Sequence, residues 1–345
     1  MPLQDRATMW DLSATFPADD IEDLRAAGLL QAIVPAHLGG LGLGTEPDGA
    51  LGALALLRLL GRANLALGRL VEAHINALRL VFRLADPALQ QRVAQDAKDG
   101  KLVGLWVTDP PGDGLRISAD GMLNGHKQFC SGAGHIDAAV VTALDEAGGA
   151  RLVYVPIGTG LTASPLTGGL SGMRAATTGQ VAFDSAAGTV FGKPDDYLAE
   201  PDFSCGAWRT SAVTLGGLEA LSQQLRSQLV SRHRHGDPHQ QARVGQAMIA
   251  TETARLWMAE AAVQAESEPN DIPAAISYVG QARLAVERAC LEVMELSQRS
   301  LGVAAFLRSN PVERICRDLS TYLRQPAADM VLTEAAIFGM ENIPR

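Results

Sequence analysis

The chain has 345 residues, enough for a large core and two or three domains. Its 29 Lys and Arg against 38 Asp and Glu give a net charge of -9, which argues against a nucleic-acid or anionic-membrane surface and for a small-molecule or protein partner. Four dispersed cysteines (Cys130, Cys205, Cys290, Cys316) form no C-x-x-C pair and fit reduced thiols in a cytoplasm, and the start, Met1 to Asp5, lacks the basic and apolar regions of a signal peptide. The most apolar run, residues 51–68, is broken by Arg58, Arg62 and Asn64, so it is a buried helix and not a membrane span.

In chain order, residues 19–30 open like a helix, with Asp19 and Glu22 at capping-box positions, until Val34, Pro35 and the glycines from Gly39 to Gly44 stop it. Helical patterns follow at 47–62 and 67–84, and Asp86 with Pro87 marks an N-cap and first position for one more. After Gly100 short strand candidates appear at 103–108, 138–143, 151–156 and 180–183, separated by turn signals at hairpin distances that favour an antiparallel sandwich or barrel. Beyond Phe203 helical periodicity returns. Ala212, Leu215, Leu218, Leu221, Leu225 and Leu229 form one apolar stripe, and Val279, Ala282, Val286, Ala289, Val293 and Leu296 form another. The expected class is α+β: an N-terminal helical domain (1–100), a middle antiparallel β-sandwich or barrel domain (101–200) and a C-terminal antiparallel helix bundle (201–345).

Chemistry concentrates between residues 105 and 143. Asn124 and Gly125 carry the signal of a two-residue hairpin turn, which would fold the segment ending Trp106, Val107, Thr108 toward the one ending Phe129, Cys130, Ser131. In a strand, residues two apart share a face, so each segment would present an aromatic (Trp106, Phe129) beside a hydroxyl (Thr108, Ser131). That combination suits a flat heteroaromatic ring needing stacking and edge hydrogen bonds. It equally suits a hairpin packing ordinary core aromatics. Arg232, His233, Arg234, His235 and His239 offer charge and donors to a phosphate, or form a solvated helix end. His233 and His235, two apart on a helix, do not share a face, so no metal site is expected.

With these motifs the chain resembles the acyl-CoA dehydrogenase family over nearly its whole length. Leu24 to Gly42 is similar to the family's Leu-rich helix, Val-Pro and Gly-Gly-x-Gly; Val107 to Pro110 to its Thr-Glu-Pro strand; and Asn124 to Lys127, followed by Phe129 to Ser131, to its Asn-Gly-x-Lys and Trp-Ile-Thr. Gly172 to Arg174, Val181 to Asp184, Arg232 to Gly236, Gln298 to Gly302 and Pro311 to Asp318 continue the likeness, with His235 in place of an aromatic and Leu301 in place of a glycine. The resemblance implies FAD, with its ring edge against Thr108 and Ser131 and its face near Phe129 and Trp106. Arg232, His235, Gln298 and Gly302 would then meet the phosphate and adenine end, from a neighbouring subunit of a homodimer or homotetramer. It also implies an acyl thioester substrate, bound to coenzyme A or a carrier protein, and an electron-transfer partner.

The chain departs from the family where the chemistry is done. Removing the α-proton of a thioester needs a carboxylate, yet the family's usual base position falls at about Pro326 and its alternative one near Gly206. Glu200, Asp202 and Asp329 are the nearby carboxylates, so the catalytic base is unassigned. Gly112 to Leu115 replaces the family's Ala-Gly-Ser-Asp, which removes the serine expected to meet the thioester ligand, and residues 158–207 are trimmed. The leading expectation is an acyl-thioester dehydrogenase. The alternatives are a flavin-dependent monooxygenase on the same scaffold, which needs no such base, and a non-catalytic structural or binding descendant.

Overall fold

In the computed structural model, which describes residues 2–267 and 271–342, the chain opens with α1 (Leu3–Ser13), α2 (Ala18–Ala26), α3 (Ala50–Ala63), α4 (Leu65–Leu84) and α5 (Pro87–Lys98). Side-chain caps explain two of these starts. Asp86 accepts from Leu89 N at 2.9 Å ahead of Pro87, as the sequence predicts, and Asn64 accepts from Ala66 N at 3.0 Å, so α3 stops and α4 starts around one residue. The capping box expected at Asp19 does not form: α2 starts at Ala18 after Pro17 with no side-chain cap, and the neighbouring Asp20 is buried against Arg6.

The middle of the chain is one sheet. Its strands are β1 (Val103–Trp106), β2 (Arg116–Ile117), β3 (Met122–Cys130), β4 (Ala138–Leu144), β5 (Ala150–Pro156), β6 (Leu161–Pro165), β7 (Gly179–Ala187) and β8 (Thr189–Phe191). They run in the order β6-β7-β3-β2-β4-β5-β8, with β1 joined to β4. Pairing is antiparallel except that β1 and β2 each lie parallel to β4. The expected hairpin at Asn124 and Gly125 is not there. Both residues lie inside β3, where the ladder to β7 shifts register between Leu123 and Gly125. Gly125 uses its freedom for a φ of 120°, and a side chain there would strike the Gly114 carbonyl.

The bundle consists of α6 (Asp202–Cys205), α7 (Ala207–Ser231), α8 (Pro238–Glu266), α9 (Ile272–Leu301), α10 (Pro311–Tyr322) and α11 (Ala328–Glu341). The α7 stripe from Ala212 to Leu229 is buried throughout, and the α9 stripe is buried up to Val293, with Leu296 half-buried. α7 lies against α3 at backbone distance: a Cβ on Gly61 would meet the Val213 carbonyl oxygen at 2.1 Å, and one on Gly216 would meet that of Arg58 at 2.1 Å. Among the described residues, no helix is long and apolar enough to cross a membrane.

α4 ties these parts together through His74, which is fully buried. Its Nδ1 accepts from Val103 N at 3.1 Å, so the proton sits on Nε2, which donates to the Leu30 carbonyl at 3.2 Å. Burial pulls the ring's pKa down from 6.5 to about 4. The unfolded chain therefore binds more protons between those values, and stability is present above about pH 6.5 and lost as pH falls toward 4. On the order of 3 kcal/mol is expected from this group. Urea unfolding between pH 4 and pH 7 should show that slope in the wild type and a flatter one in His74→Gln. Equal slopes would remove His74 from the account.

Candidate functional site

β1 stops pairing at Trp106, opposite Val141, and the next residues leave the sheet beside the end of β3. There Gln128 N donates to the Thr108 carbonyl at 2.9 Å, and Gln128 Nε2 donates to the Asp109 carbonyl at 3.1 Å. The two segments singled out in the sequence are therefore neighbours, although no hairpin joins them. Gly132 follows at φ 71°; its N donates to the Ala176 carbonyl at 2.8 Å, and a Cβ there would meet Ile136 at 2.6 Å and Leu70 of α4 at 3.2 Å. Small size at Gly132 lets the strand end lie directly on α4.

The side chains do not all face as expected. Trp106 is only 2 % exposed, and its indole N–H donates to the Ser131 carbonyl at 3.0 Å, so it supports the strand end from behind instead of forming a wall beside Thr108. The period-2 expectation fails because β1 ends at Trp106, two residues short of the hydroxyl. Phe129 is the opposite case. Its backbone sits at φ 55°, a conformation aromatic residues rarely adopt, and its ring is 50 % exposed. Thr108 is exposed and Ser131 buried, and among the described residues neither hydroxyl has a hydrogen-bond partner. An outward aromatic near two uncommitted hydroxyls fits the edge and face of a heteroaromatic cofactor.

Two supporting features were not singled out as site residues in the sequence. Lys127 is fully buried behind this edge, where burial lowers its pKa against the opposing pull of Asp109, 2.7 Å away. Its sequence signals are a lysine inside an otherwise strand-like run and its place in the Asn-Gly-x-Lys motif, neither of which points to burial behind this edge. The second feature is the 171–177 loop. Gly172 N donates to Thr321 Oγ1 at 3.1 Å, and Met173 N donates to Asp318 Oδ1 at 2.6 Å, which fixes the loop to α10. Burial pushes the Asp318 carboxyl up to about 6. Cys130, between Phe129 and Ser131, is buried with its thiol pushed up to about 12, which disqualifies it as a nucleophile near neutral pH.

The residues assigned to the phosphate end gather elsewhere. Arg232 caps α7 with its Nη2 on Gln228 Oε1 at 3.1 Å, and Arg234 Nη1 donates to the Ser300 carbonyl at 3.3 Å, which joins the α7–α8 turn to the end of α9. His235 is exposed; Gly302 caps α9 at φ 62° with open space where a Cβ would stand; Gln298 lies half-buried beside Cys316. Thr210, near the other end of α7, reaches Glu72 on α4 at 3.2 Å. Arg232 follows it by about six turns, roughly 33 Å at 1.5 Å per residue. Within one chain the two groups are separate patches.

Every carboxylate proposed as a base is engaged or misplaced. Asp202 receives Arg79 Nη2 at 3.0 Å and Arg83 Nε at 3.1 Å. Glu200 is exposed and caps the next turn, accepting from Ser204 N at 3.1 Å and Ser204 Oγ at 2.6 Å. Asp329 stands on the first turn of α11, in a groove of about 720 Å³ between α8, α9 and α11 that Ile249, Leu284 and Leu332 line. Pro326 is exposed in the loop before α11, where its carbonyl accepts from Arg283 Nη2 at 2.7 Å. Gly206 precedes α7 with no side chain to offer.

A helical N-terminal part, a sheet and a helix bundle, in that order along the chain, define a fold of the acyl-CoA dehydrogenase type. Residues 2–101 match the acyl-CoA dehydrogenase N-terminal domain and residues 197–323 its C-terminal domain. The chain belongs to the acyl-CoA dehydrogenase family. It is 24% identical over 355 residues to the mitochondrial isobutyryl-CoA dehydrogenase of Dictyostelium discoideum, covering 94% of this chain and 82% of that protein. It is 28% identical over 345 residues to the amino sugar nitrososynthase DnmZ of Streptomyces peucetius, covering 90% and 82%. The FMN-bound structure of TdsC, a dibenzothiophene monooxygenase from a Paenibacillus species, superposes with a TM-score of 0.86 at 20% identity, covering 99% of this chain and 95% of that one. The fold is thus shared by a dehydrogenase and by enzymes of other chemistry.

Replacing Thr108 or Ser131 by Ala is expected to remove one hydrogen bond of about 1 kcal/mol from a bound flavin. The double variant should bind about tenfold or more weakly. Fluorescence titration with FAD and with FMN measures this, and unchanged affinity would take the flavin off this edge. Arg232→Ala should weaken FAD and leave FMN unaffected, which tests whether the patch around Arg232 takes the part that FAD has and FMN lacks.

Proposed function

We propose that this chain is a flavin-dependent oxidoreductase of the monooxygenase kind, acting on a small molecule. The observation that carries this reading is the state of the base positions: Pro326 and Gly206 hold no carboxylate, Asp202 is paired with two arginines, Glu200 caps a helical turn, and Asp329 faces another groove. Dehydrogenation of a thioester needs a free carboxylate, worth about 10²- to 10⁴-fold, whereas oxygen transfer from a reduced flavin does not. A bound reduced flavin would pass two electrons to molecular oxygen, one oxygen atom going to the substrate and the other to water. The chain's own residues hold and orient: Thr108 and Ser131 donate to the ring edge, Phe129 covers its face, and Trp106 and Gly132 hold the strand end that presents them. FAD is the cofactor the family motifs imply, while the FMN complex of TdsC supports a mononucleotide as well.

The second reading is a dehydrogenase acting on an acyl thioester, coupled to an electron-transfer partner. It is favoured by the exposure of Glu200, whose two contacts both come from Ser204 and are readily given up. Anaerobic mixing of the flavin-loaded protein with straight-chain and branched acyl-CoAs separates the two. The proposal expects the oxidised flavin spectrum to persist, and Pro326→Glu not to change that, since proline also fixes the loop backbone. Bleaching with turnover near the median of about 10 s⁻¹ would establish the dehydrogenase, with Glu200, Asp202 and Asp329 the first residues to replace. A colourless protein that takes up no flavin would leave the non-catalytic descendant.

Self-association belongs to the same reading. α11 is apolar around most of its circumference yet buries only Ala335, leaving Met330, Leu332, Ile337 and Met340 at least 45 % exposed. A homodimer or homotetramer is expected in light scattering at micromolar concentration. A strict monomer that still holds FAD would exclude a shared cofactor site.

A further inference from the structure

Lys127 holds an arrangement that the fold alone does not require. Beyond Trp106 the chain has left the β4 ladder, and the backbone of residues 107–109 is held to the sheet only at its carbonyls, by Gln128 of β3 on Thr108 and Asp109 and by the Thr142 hydroxyl of β4 on Val107 at 3.3 Å. The Lys127 ammonium gathers three acceptors there: Asp109 Oδ1 at 2.7 Å, Thr142 Oγ1 at 2.9 Å and the Val107 carbonyl at 3.4 Å. Three donors meet three acceptors, so the group is saturated despite having no exposed surface. Two of the acceptors flank Thr108, and the third, on β4, anchors the assembly to the sheet. Asp109 Oδ1 also accepts from Leu115 N at 3.1 Å, which stiffens the far side of the segment. Thr108 itself is not bonded by Lys127: its carbonyl accepts from Gln128 N, and among the described residues its exposed hydroxyl has no partner.

Burying an ammonium beside a partly exposed carboxylate gives little net stability compared with an apolar side chain of similar volume, so Lys127 is a poor choice if firmness of the core were all it supplied. We propose that Lys127 is a positioning residue for cofactor binding: its three-way clamp sets where the Thr108 hydroxyl meets the edge of a flavin ring. The proposal rests on the functional reading above, in which that ring lies on Thr108 and Ser131. Lys127 touches neither cofactor nor substrate in this scheme and acts only through Thr108.

The test is a double-mutant cycle read by fluorescence titration with FMN and FAD, with the unfolding temperature measured alongside. Lys127→Met keeps the volume and leaves Asp109, 38 % exposed on its side chain, free to turn to water, so the variant should fold. Its flavin affinity should fall about fivefold, as should that of Thr108→Ala, each having lost one well-placed hydrogen bond. The double variant should be no more than about twofold weaker than either single one, because both changes remove the same bond. Additive losses, or an unchanged affinity in Lys127→Met with only a lowered unfolding temperature, would overturn the proposal and leave the functional reading standing. Wild-type protein that binds neither flavin would overturn both. If Lys127→Met does not fold, Thr142→Val removes one acceptor of the clamp and is put through the same cycle against Thr108→Ala, with the same outcomes deciding.

Discussion

The structure depends on the burial of polar side chains along α4. A charged or hydrogen-bonding group taken out of water is costly unless it finds a partner, and besides its N-cap α4 carries three such groups, each turned toward a different part of the chain. Asn64 caps the helix itself. His74 joins the start of β1 to the segment around Leu30, and Glu72 gathers Arg69, Asn76 and Thr210 of α7. Arg79 bonds Glu266 of α8 and Asp202 beside α7, and Glu266 is shared with Arg209 and with the Trp208 indole at 2.9 Å. The N-terminal helices, the sheet and the bundle are therefore cross-linked through one helix by directional bonds, and misregister of any of them leaves a buried group without a partner.

That constraint bears on the site. Gly132 rests on Leu70, one turn before His74, so the end of β3 and the start of β1 are both referred to α4. An exposed Phe129 in a disfavoured backbone conformation persists only where the surroundings hold it, and here the frame is the Trp106 bond to the Ser131 carbonyl on one side and the α4 contact on the other. The same frame uses up the nearby acids. Asp202 stands just before α7 in sequence, and its two arginines come from α4, so freeing it as a base would unpair a charge in the network that supports the fold.

Much of this was legible in the sequence, for reasons that differ by element. The α7 stripe and the Asp86 cap are local patterns that tertiary packing leaves in place, whereas the equally local capping box at Asp19 gives way to a helix that starts after Pro17 with Asp20 held by Arg6. Family motifs in their order along the chain carried the domain order. Asn124 and Gly125 do not declare their role locally, because the same dipeptide serves a tight turn and a strand bulge equally well; pairing with β7, whose residues lie some sixty positions later, makes the choice. Trp106 was misassigned because a period of two was carried past the point where the strand ends. Glu72, His74 and Arg79 left only a faint mark, as polar interruptions in an apolar helical run. Their partners lie on other elements, and no spacing rule within α4 points to them.

The long reach of one of these bonds has a consequence for how the chain is made. Arg79 meets Glu266 across 187 positions of sequence, and both are buried. A ribosome adding about 5–20 residues per second needs on the order of 10 to 40 s to produce the second after the first. Until Asp202 is made, 123 positions on, α4 carries a cation with neither of its two carboxylate partners, and until Glu266 is made it lacks the buried one. The first hundred residues can collapse on their apolar surface as they emerge, but they cannot settle into their final packing until α8 has been synthesised. The helical N-terminal part is thus a unit of architecture without being a unit of folding.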